Sequence, residues 1–274
     1  MPEGPEIRRA ADTIASVLEG KTVDVVRFGL PRLRHHARRL RGHRVRTLET
    51  RGKALLTHFE HGYSIYSHNQ LYGVWRVVKG HKLPKTNRSL RLLLQTDTHS
   101  AILYSASDIS VWPTEELETH PFLTRIGPDI MNPALQWRDI AARLTDKRFA
   151  RKSLATLYLD QAFLAGNGNY LRSEILHDAG LHPTQRPADL TRGQIGKLSR
   201  STLALSRRSY ETGGITLTPK LAKSLQEMGL KRGQRRFYVF GRAGHPCYHC
   251  GEEIDRVEVG ARRLYLCRNC QPEV

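Results

Sequence analysis

Apolar positions at the start of the chain recur at helical spacing. Ile7, Ala11, Ile14 and Leu18 lie three or four residues apart, Pro5 suits a first turn and Gly20 the position just past the end, so the first twenty residues read as a helix. Glu3 and Glu6 stand near the positive end of its dipole. From Lys21 to about Trp112 the pattern changes to short runs at 22–29, 44–50, 53–60, 63–68, 72–79, 89–96 and 100–105, separated by turn residues such as Gly42, Gly52, Gly62 and Gly80. Strands at this spacing predict an antiparallel sandwich or barrel. Segment 31–46 breaks the pattern: it carries seven arginines, three histidines and no acid. It reads as a helix, or as a loop with a strand at its end.

After residue 113 the chain reads as helical, with runs at 114–119, 133–144, 151–164, 169–179 and 189–209. The turn residues of RIGPDIMNP fall between the two regimes. From about residue 236, two strand-like runs are flanked by cysteine pairs. The fold class expected is α+β in two domains, an N-terminal helix with an antiparallel β-sandwich and then a helical domain ending in a hairpin. The boundaries expected are 1–124, a linker at 125–133, 134–235 and 236–274, with no element assigned to 207–235.

Composition narrows the function classes. The chain has 274 residues, of which 39% are hydrophobic, enough to bury a core. The longest stretch without Asp, Glu, Lys or Arg, His61 to Trp75, is about 15 residues, short of the ~20 a bilayer requires. The start, MPEGPEIRRAAD, has no hydrophobic leader core. With 44 Lys and Arg against 26 Asp and Glu, the formal charge is +18, which favours a polyanionic partner. No basic amphipathic helix or lipidation signal points to a membrane, so nucleic acid ranks first.

All four cysteines, Cys247, Cys250, Cys267 and Cys270, lie near the C-terminus as two Cys-x2-Cys pairs sixteen residues apart. Two such knuckles present four thiolates to one tetrahedral ion, which predicts one structural Zn2+ with no open position for catalysis. A redox dithiol is the competing reading, and the second matched pair argues against it. Clustered cysteines do not suit a secreted disulfide scaffold, so a cytoplasmic location is expected. The intervening GEEIDRVEVGARRLYL reads as a hairpin turning near Gly260-Ala261. It carries Arg256, Arg262 and Arg263, suited to phosphate oxygens.

Three further features carry chemistry. In DQAFLAGNGNYLR an apolar helix ends, a Gly-Asn-Gly turn follows, and a new helix opens at Asn169. Glycines and a helix start can offer backbone N–H groups to an anion, and Asn169 either caps the helix or holds a phosphate. Removal of Met1 would leave Pro2 as the terminus. Its secondary amine can condense with a sugar aldehyde carbon to an iminium that acidifies the neighbouring C–H, although many proteins begin Met-Pro without such chemistry. Lys53, just after Gly52, is by itself an ordinary surface lysine.

Taken together, PEGPEIRRAAD, ETRGKALLTHF, YSHNQLYGVWRVV, LYSASDI, THPFL-x-R-x-GPD, LDQAFLAG-x-GNYLR-x-EIL and the cysteine hairpin resemble the formamidopyrimidine-DNA glycosylase/endonuclease VIII family, over residues 2–270. PEGPE and NQLYG resemble the endonuclease VIII branch, which implies a preference for oxidised pyrimidines. The resemblance implies a helix–two-turn–helix domain with a zinc finger, and a monomer acting on damaged double-stranded DNA by flipping out the damaged nucleotide. It implies a bifunctional glycosylase and abasic-site lyase that works by β,δ-elimination. Pro2 would be the nucleophile, Glu3 the general acid, Lys53 a proton donor in elimination, and Arg262 active at the second phosphate elimination. Gln70, Arg125 and Asn169 match DNA-contact positions, Gln70, Leu71 and Tyr72 the wedge that fills the gap, and Glu6, Arg172 and Glu174 match in supporting roles, Arg172 among the DNA-binding residues. Asn167 departs from the family pattern, which has an apolar residue between the two turn glycines; an asparagine there needs a polar partner.

Overall fold

The computed structural model describes residues 2–273. The chain forms two compact units, one built from Pro2 with Glu6–Arg125 and the other from Glu3–Pro5 with the segment beginning at Ile126.

In the first unit, α1 (Gly4–Leu18) buries Ile7, Ala11, Ile14 and Leu18, the face its spacing predicts. Gly20 ends it in the left-handed region at φ 70°. Two antiparallel four-stranded sheets follow. One comprises β2 (Val45–Arg51), β3 (Ala54–Phe59), β4 (Tyr63–His68) and β8 (Asp108–Pro113) in that order. The other has the order β1-β6-β7-β5, with β1 (Val25–Phe28), β5 (Val74–Lys79), β6 (Leu90–Gln95) and β7 (His99–Tyr104). Ile14, Leu18, Leu55, Ile65, Leu92, Leu103 and Ile109 share the core between them. β8 is a strand the sequence reading lacks; its partner is β4, about forty-five residues earlier, with Ile65 opposite Val111. Segment 31–46 resolves into a 3-10 turn at Pro31–Leu33, α2 (His36–Leu40) and the start of β2. Only Leu33, Leu40 and Val45 in it are buried as apolar anchors, which leaves most of the arginines on the surface.

In the second unit, α3 (Trp137–Thr145) starts four residues later than its periodicity suggests, where the Asp139 carboxylate accepts from the Gln136 N–H at 2.8 Å. The helix expected over 151–164 is reduced to α4 (Leu154–Leu157), capped by Ser153. Its apolar continuation is buried but turns. Arg143 donates to the carbonyls of Phe163 and Ala162 at 2.8 and 2.6 Å, while the Gly127 and Ile130 amides bond to the Gln161 and Ala165 carbonyls. The amides of this stretch leave the helix ladder: Leu159 and Asp160 bond only three residues back, to Thr156 and Leu157, and the Ala162 N–H donates to the Asp160 carboxylate at 2.9 Å. α5 (Asn169–Ala179) matches its expected limits and ends at left-handed Gly180. It is buried almost throughout, at the centre of a core with α3, α6 (Arg192–Glu211) and the C-terminal hairpin. In 207–235 the structure adds α7 (Pro219–Glu227), capped by Thr218 with proline in its first turn. The hairpin is β9 (Asp255–Val259) and β10 (Arg262–Leu266), joined by Gly260 and Ala261 at φ 57° and 58°, the two positive values a tight twisted hairpin requires. No helix of the described residues is long and apolar enough to cross a membrane.

Candidate active site and metal centre

The start of α5 organises the second unit's chemistry. Its N-cap, Gly168, has no side chain to satisfy the first amides. Glu3 does so instead: its buried carboxylate accepts from the Tyr170 N–H at 2.8 Å and the Leu171 N–H at 3.3 Å. A Cβ on residue 168 would lie 2.4 Å from Glu3 Cδ, so glycine is what admits the carboxylate. Gly166 stands at φ 98°, and the Gly4 N–H donates to its carbonyl at 2.8 Å. The glycine turn does receive an anion at a helix start, but that anion is the protein's own, and these two amides are not open to a phosphate. Nor does Asn169 cap the helix. Its Oδ1 accepts from Arg172 Nη2 at 2.7 Å, which turns its amide N–H2 the other way as a donor for an anion.

Arg172 is fully buried. Its guanidinium also donates to the carbonyls of Ala155 at 3.0 Å and Arg263 at 3.1 Å, tying α4, α5 and β10 together. Burial, then Arg262, lower its pKa to about 10, with Glu3 opposing, so it stays a cation at neutral pH. Glu174, two residues further and also buried, accepts from the amides of Tyr238, Val239 and Phe240 at 2.8–2.9 Å and from the Thr216 hydroxyl. It thereby fixes the segment leading into the cysteine knuckles. Gln161, which the sequence reading passed over, braces the turn from beneath. Its Oε1 accepts from the Gly166 N–H at 3.1 Å and its Nε2 donates to the Asn167 carbonyl at 2.9 Å. The Asn167 side chain is fully buried, and neither of its polar atoms has a partner among the described residues.

The four cysteines are thiols, not disulfides, with their sulfurs within 4.8 Å of one another. Cys250 and Cys267 are 3.4 Å apart, Cys247 and Cys270 3.9 Å. A tetrahedral zinc with bonds of about 2.3 Å requires sulfurs roughly 3.8 Å apart, so the cluster fits one such ion. The Asn269 side chain, then the Glu252 backbone, bring the Cys250 thiol down to about 6, whereas burial pushes Cys267 and Cys270 up. Four thiolates this close need a cation to coexist. Leu264 and Leu266 anchor the hairpin in the core and leave Arg262 and Arg263 exposed beside its turn.

The first unit holds the other expected residues. Pro2 is half-buried. Lys53 is the second residue of the two-residue turn joining β2 to β3, after Gly52 at φ 64°. Its charge reaches His68 on β4: burial lowers the His68 pKa, Asp108 opposes that and Lys53 adds to it. Gln70, Leu71 and Tyr72 form the β4–β5 loop, closed by the Gly73 N–H on the Asn69 carbonyl at 2.7 Å. Leu71 and Tyr72 are 59% and 71% exposed, large apolar surfaces offered to solvent. Arg125 ends a 3-10 turn at Leu123–Arg125, where its Nε donates to the Pro121 carbonyl and its side chain is exposed. The structure thus groups Glu3, Asn169, Arg172 and Arg262 in one unit, and Lys53 with loop 69–73 in the other.

Comparison with known proteins agrees with this architecture. Residues 1–107 match the formamidopyrimidine-DNA glycosylase N-terminal domain and residues 126–220 its H2TH domain. The chain is 46% identical to proteins named endonuclease 8 from Escherichia coli and Salmonella agona, over 99% of its length and all of theirs. Among solved structures, the Lactococcus lactis formamidopyrimidine-DNA glycosylase in complex with abasic-site DNA superposes with a TM-score of 0.82 at 20% identity, across 99% of this chain and 100% of that one. The same holds for its complex with DNA containing an oxidised pyrimidine. The chain belongs to the formamidopyrimidine-DNA glycosylase/endonuclease VIII family of DNA repair enzymes, which are bifunctional DNA glycosylases and abasic-site lyases.

Proposed function

We propose that this enzyme removes oxidised bases, pyrimidines first, from double-stranded DNA through a Schiff base on Pro2, and then cuts the strand by β,δ-elimination. The observation that carries the reading is the seat of Glu3. Two backbone amides of α5 clamp its carboxylate, which fixes the residue directly after the proposed nucleophile. With Met1 removed, the neutral Pro2 amine attacks C1′, the damaged base leaves with a proton, and the ring-opened sugar is held as an iminium. Glu3 supplies the proton for base loss and ring opening. Loss of a C2′ proton expels the 3′ phosphate, and a second elimination expels the 5′ phosphate. Lys53 provides a proton in these steps, and Arg262 stabilises the second phosphate as it leaves.

Arg125 and the outward amide of Asn169 bind backbone phosphates, and Gln70, Leu71 and Tyr72 enter the stack where the nucleotide was. We assign Arg172 to this interface through Asn169, which its guanidinium orients. The preference for pyrimidines rests on PEGPE and NQLYG. The set of four thiolates selects Zn2+ over harder ions. Residues 1–124 form the catalytic domain, 125–133 the linker, 134–235 the helical DNA-binding domain and 236–274 the zinc finger. We assign the enzyme to the bacterial cytoplasm as a monomer; a DNA substrate and four free thiols support that location.

Borohydride trapping on an abasic duplex tests the nucleophile. Wild type forms a covalent protein–DNA adduct whose trapped sugar is carried on the Pro2 nitrogen in the mass of the N-terminal peptide; a trapped sugar carried on Lys53 or another amine would overturn the mechanism. Excision rates on thymine glycol against 8-oxoguanine duplexes test the preference, and a faster purine reaction would reverse it.

A further inference from the structure

The part of the arginine-rich segment nearest the wedge loop has a task that its charge does not reveal. The backbone of loop 69–73 is tightly constrained: the Gly73 amide closes it onto Asn69, and a Cβ at residue 73 would sit 2.5 Å from the Asn69 carbonyl oxygen. Gln70 itself is held at φ 51°, in the left-handed region that a side chain normally avoids. None of this sets the direction of the Gln70 side chain, which is exposed. A hydroxyl from another connection does. Ser107 Oγ, between β7 and β8, donates to Gln70 Oε1 at 2.8 Å. Ser107 is held in turn by Arg32, whose Nη2 donates to the Ser107 carbonyl and Nη1 to the Ile109 carbonyl, both at 3.0 Å. One planar guanidinium spans two carbonyls two residues apart, a geometry lysine cannot reproduce. Arg32 is seated by the 3-10 turn that Pro31 begins and buried Leu33 anchors.

We propose that Arg32 and Ser107 are positioning residues for Gln70. They hold its side chain pointing as it must when the wedge enters DNA, without themselves touching the reacting atoms. The proposal rests on the wedge role assigned to Gln70 above. With Oε1 engaged by the serine hydroxyl, the amide N–H2 turns away from Ser107 as a fixed donor for acceptor atoms on the base left behind. A side chain ordered before binding gives up less freedom when it is inserted.

The test is a double-mutant cycle on a duplex carrying one oxidised pyrimidine, with KM and kcat read separately and melting followed alongside. Ser107→Ala is expected to slow excision at low substrate by about three- to tenfold, the range for one hydrogen bond at an exposed site. Its melting temperature stays at the wild-type value. Ser107→Thr keeps the hydroxyl and restores the rate, and Arg32→Ala behaves like Ser107→Ala. Adding Ser107→Ala to Gln70→Ala changes nothing more. If Ser107→Ala still slows the Gln70→Ala enzyme, or leaves the rate intact where Gln70→Ala lowers it, the brace is refuted and the wedge stands. If Gln70→Ala itself costs nothing, the wedge assignment fails, and the brace with it.

Discussion

The start of α5 and the loop 69–73 are both proposed to meet DNA, yet they are built in opposite ways. Around α5 the charged groups are buried and hydrogen-bonded: Glu3 on two amides, Arg172 on two carbonyls and Asn169, Glu174 on three amides and a hydroxyl. In the loop the apolar groups face water, and the polar contacts lie at the surface. Buried bonds to charged groups are costly to break, so the first arrangement resists displacement. The second gives up burial in the free protein, and that apolar area becomes favourable only inside a base stack. The start of α5 is built to hold its geometry, and the loop is built for what it can gain on entering a base stack.

The sharpest way to break the contrast is to remove the metal. Leu264, Leu266 and the Arg172–Arg263 bond place the cysteine hairpin against α5. Chelation or Cys267→Ser is therefore expected to loosen the node as well as the knuckles. Structural zinc contributes many kcal/mol to the fold that carries it. A loss of about 4 kcal/mol lowers melting by roughly 10 °C in a unit of this size. Calorimetry with a colorimetric count of released metal measures both; unchanged melting after one equivalent is released would show that the hairpin does not support the node.

A smaller effect is expected from Gly168→Ala. The added methyl would lie within 2.4–2.7 Å of Glu3 side-chain atoms, so the carboxylate must move and the Tyr170 and Leu171 amides lose their acceptor. Overpacking of this kind costs about 1–3 kcal/mol. Moving a group that works beside the nucleophile by about 1 Å can cost a hundredfold in rate. The lyase rate on an abasic duplex should thus fall further than stability does. Equal free-energy losses would mean that Glu3 only caps the helix.

These residues also show how far the sequence could be read. The limits of α5, the paired cysteines and the hairpin turn at Gly260-Ala261 were legible because each is specified by neighbours in the chain. The cap on α5 was not, since its acceptor comes from Glu3, 167 residues away. The same limit explains the missing β8, whose partner is β4, whereas the helix expected over 151–164 breaks locally, where the Asp160 carboxylate takes the Ala162 amide. α7 is a different case: Thr218-Pro219 is a local start signal, and it was overlooked. At Asn167 the sequence showed that a partner was needed, and the structure shows none among the described residues. Wedge and site roles came from resemblance, because an exposed leucine and tyrosine carry no periodic signal.

The smallest change in stability, and the best test of the probe, is Leu71→Ala. Leu71 is 59% exposed and belongs to no core, so its loss should alter stability by no more than about 0.5 kcal/mol. The free protein should melt as wild type does. In the duplex the same side chain would be covered by bases, and truncating a buried leucine forfeits about 2–3 kcal/mol of transfer free energy. Part of that loss should appear in excision from a paired lesion as a fall on the order of tenfold at low substrate, mostly in KM. An abasic site in single-stranded DNA has no opposing stack to wedge apart, and strand cleavage there should be untouched. If single- and double-stranded substrates decline together, Leu71 serves strand cleavage itself and not the opening of the helix. The two regions would then differ in burial but not in task.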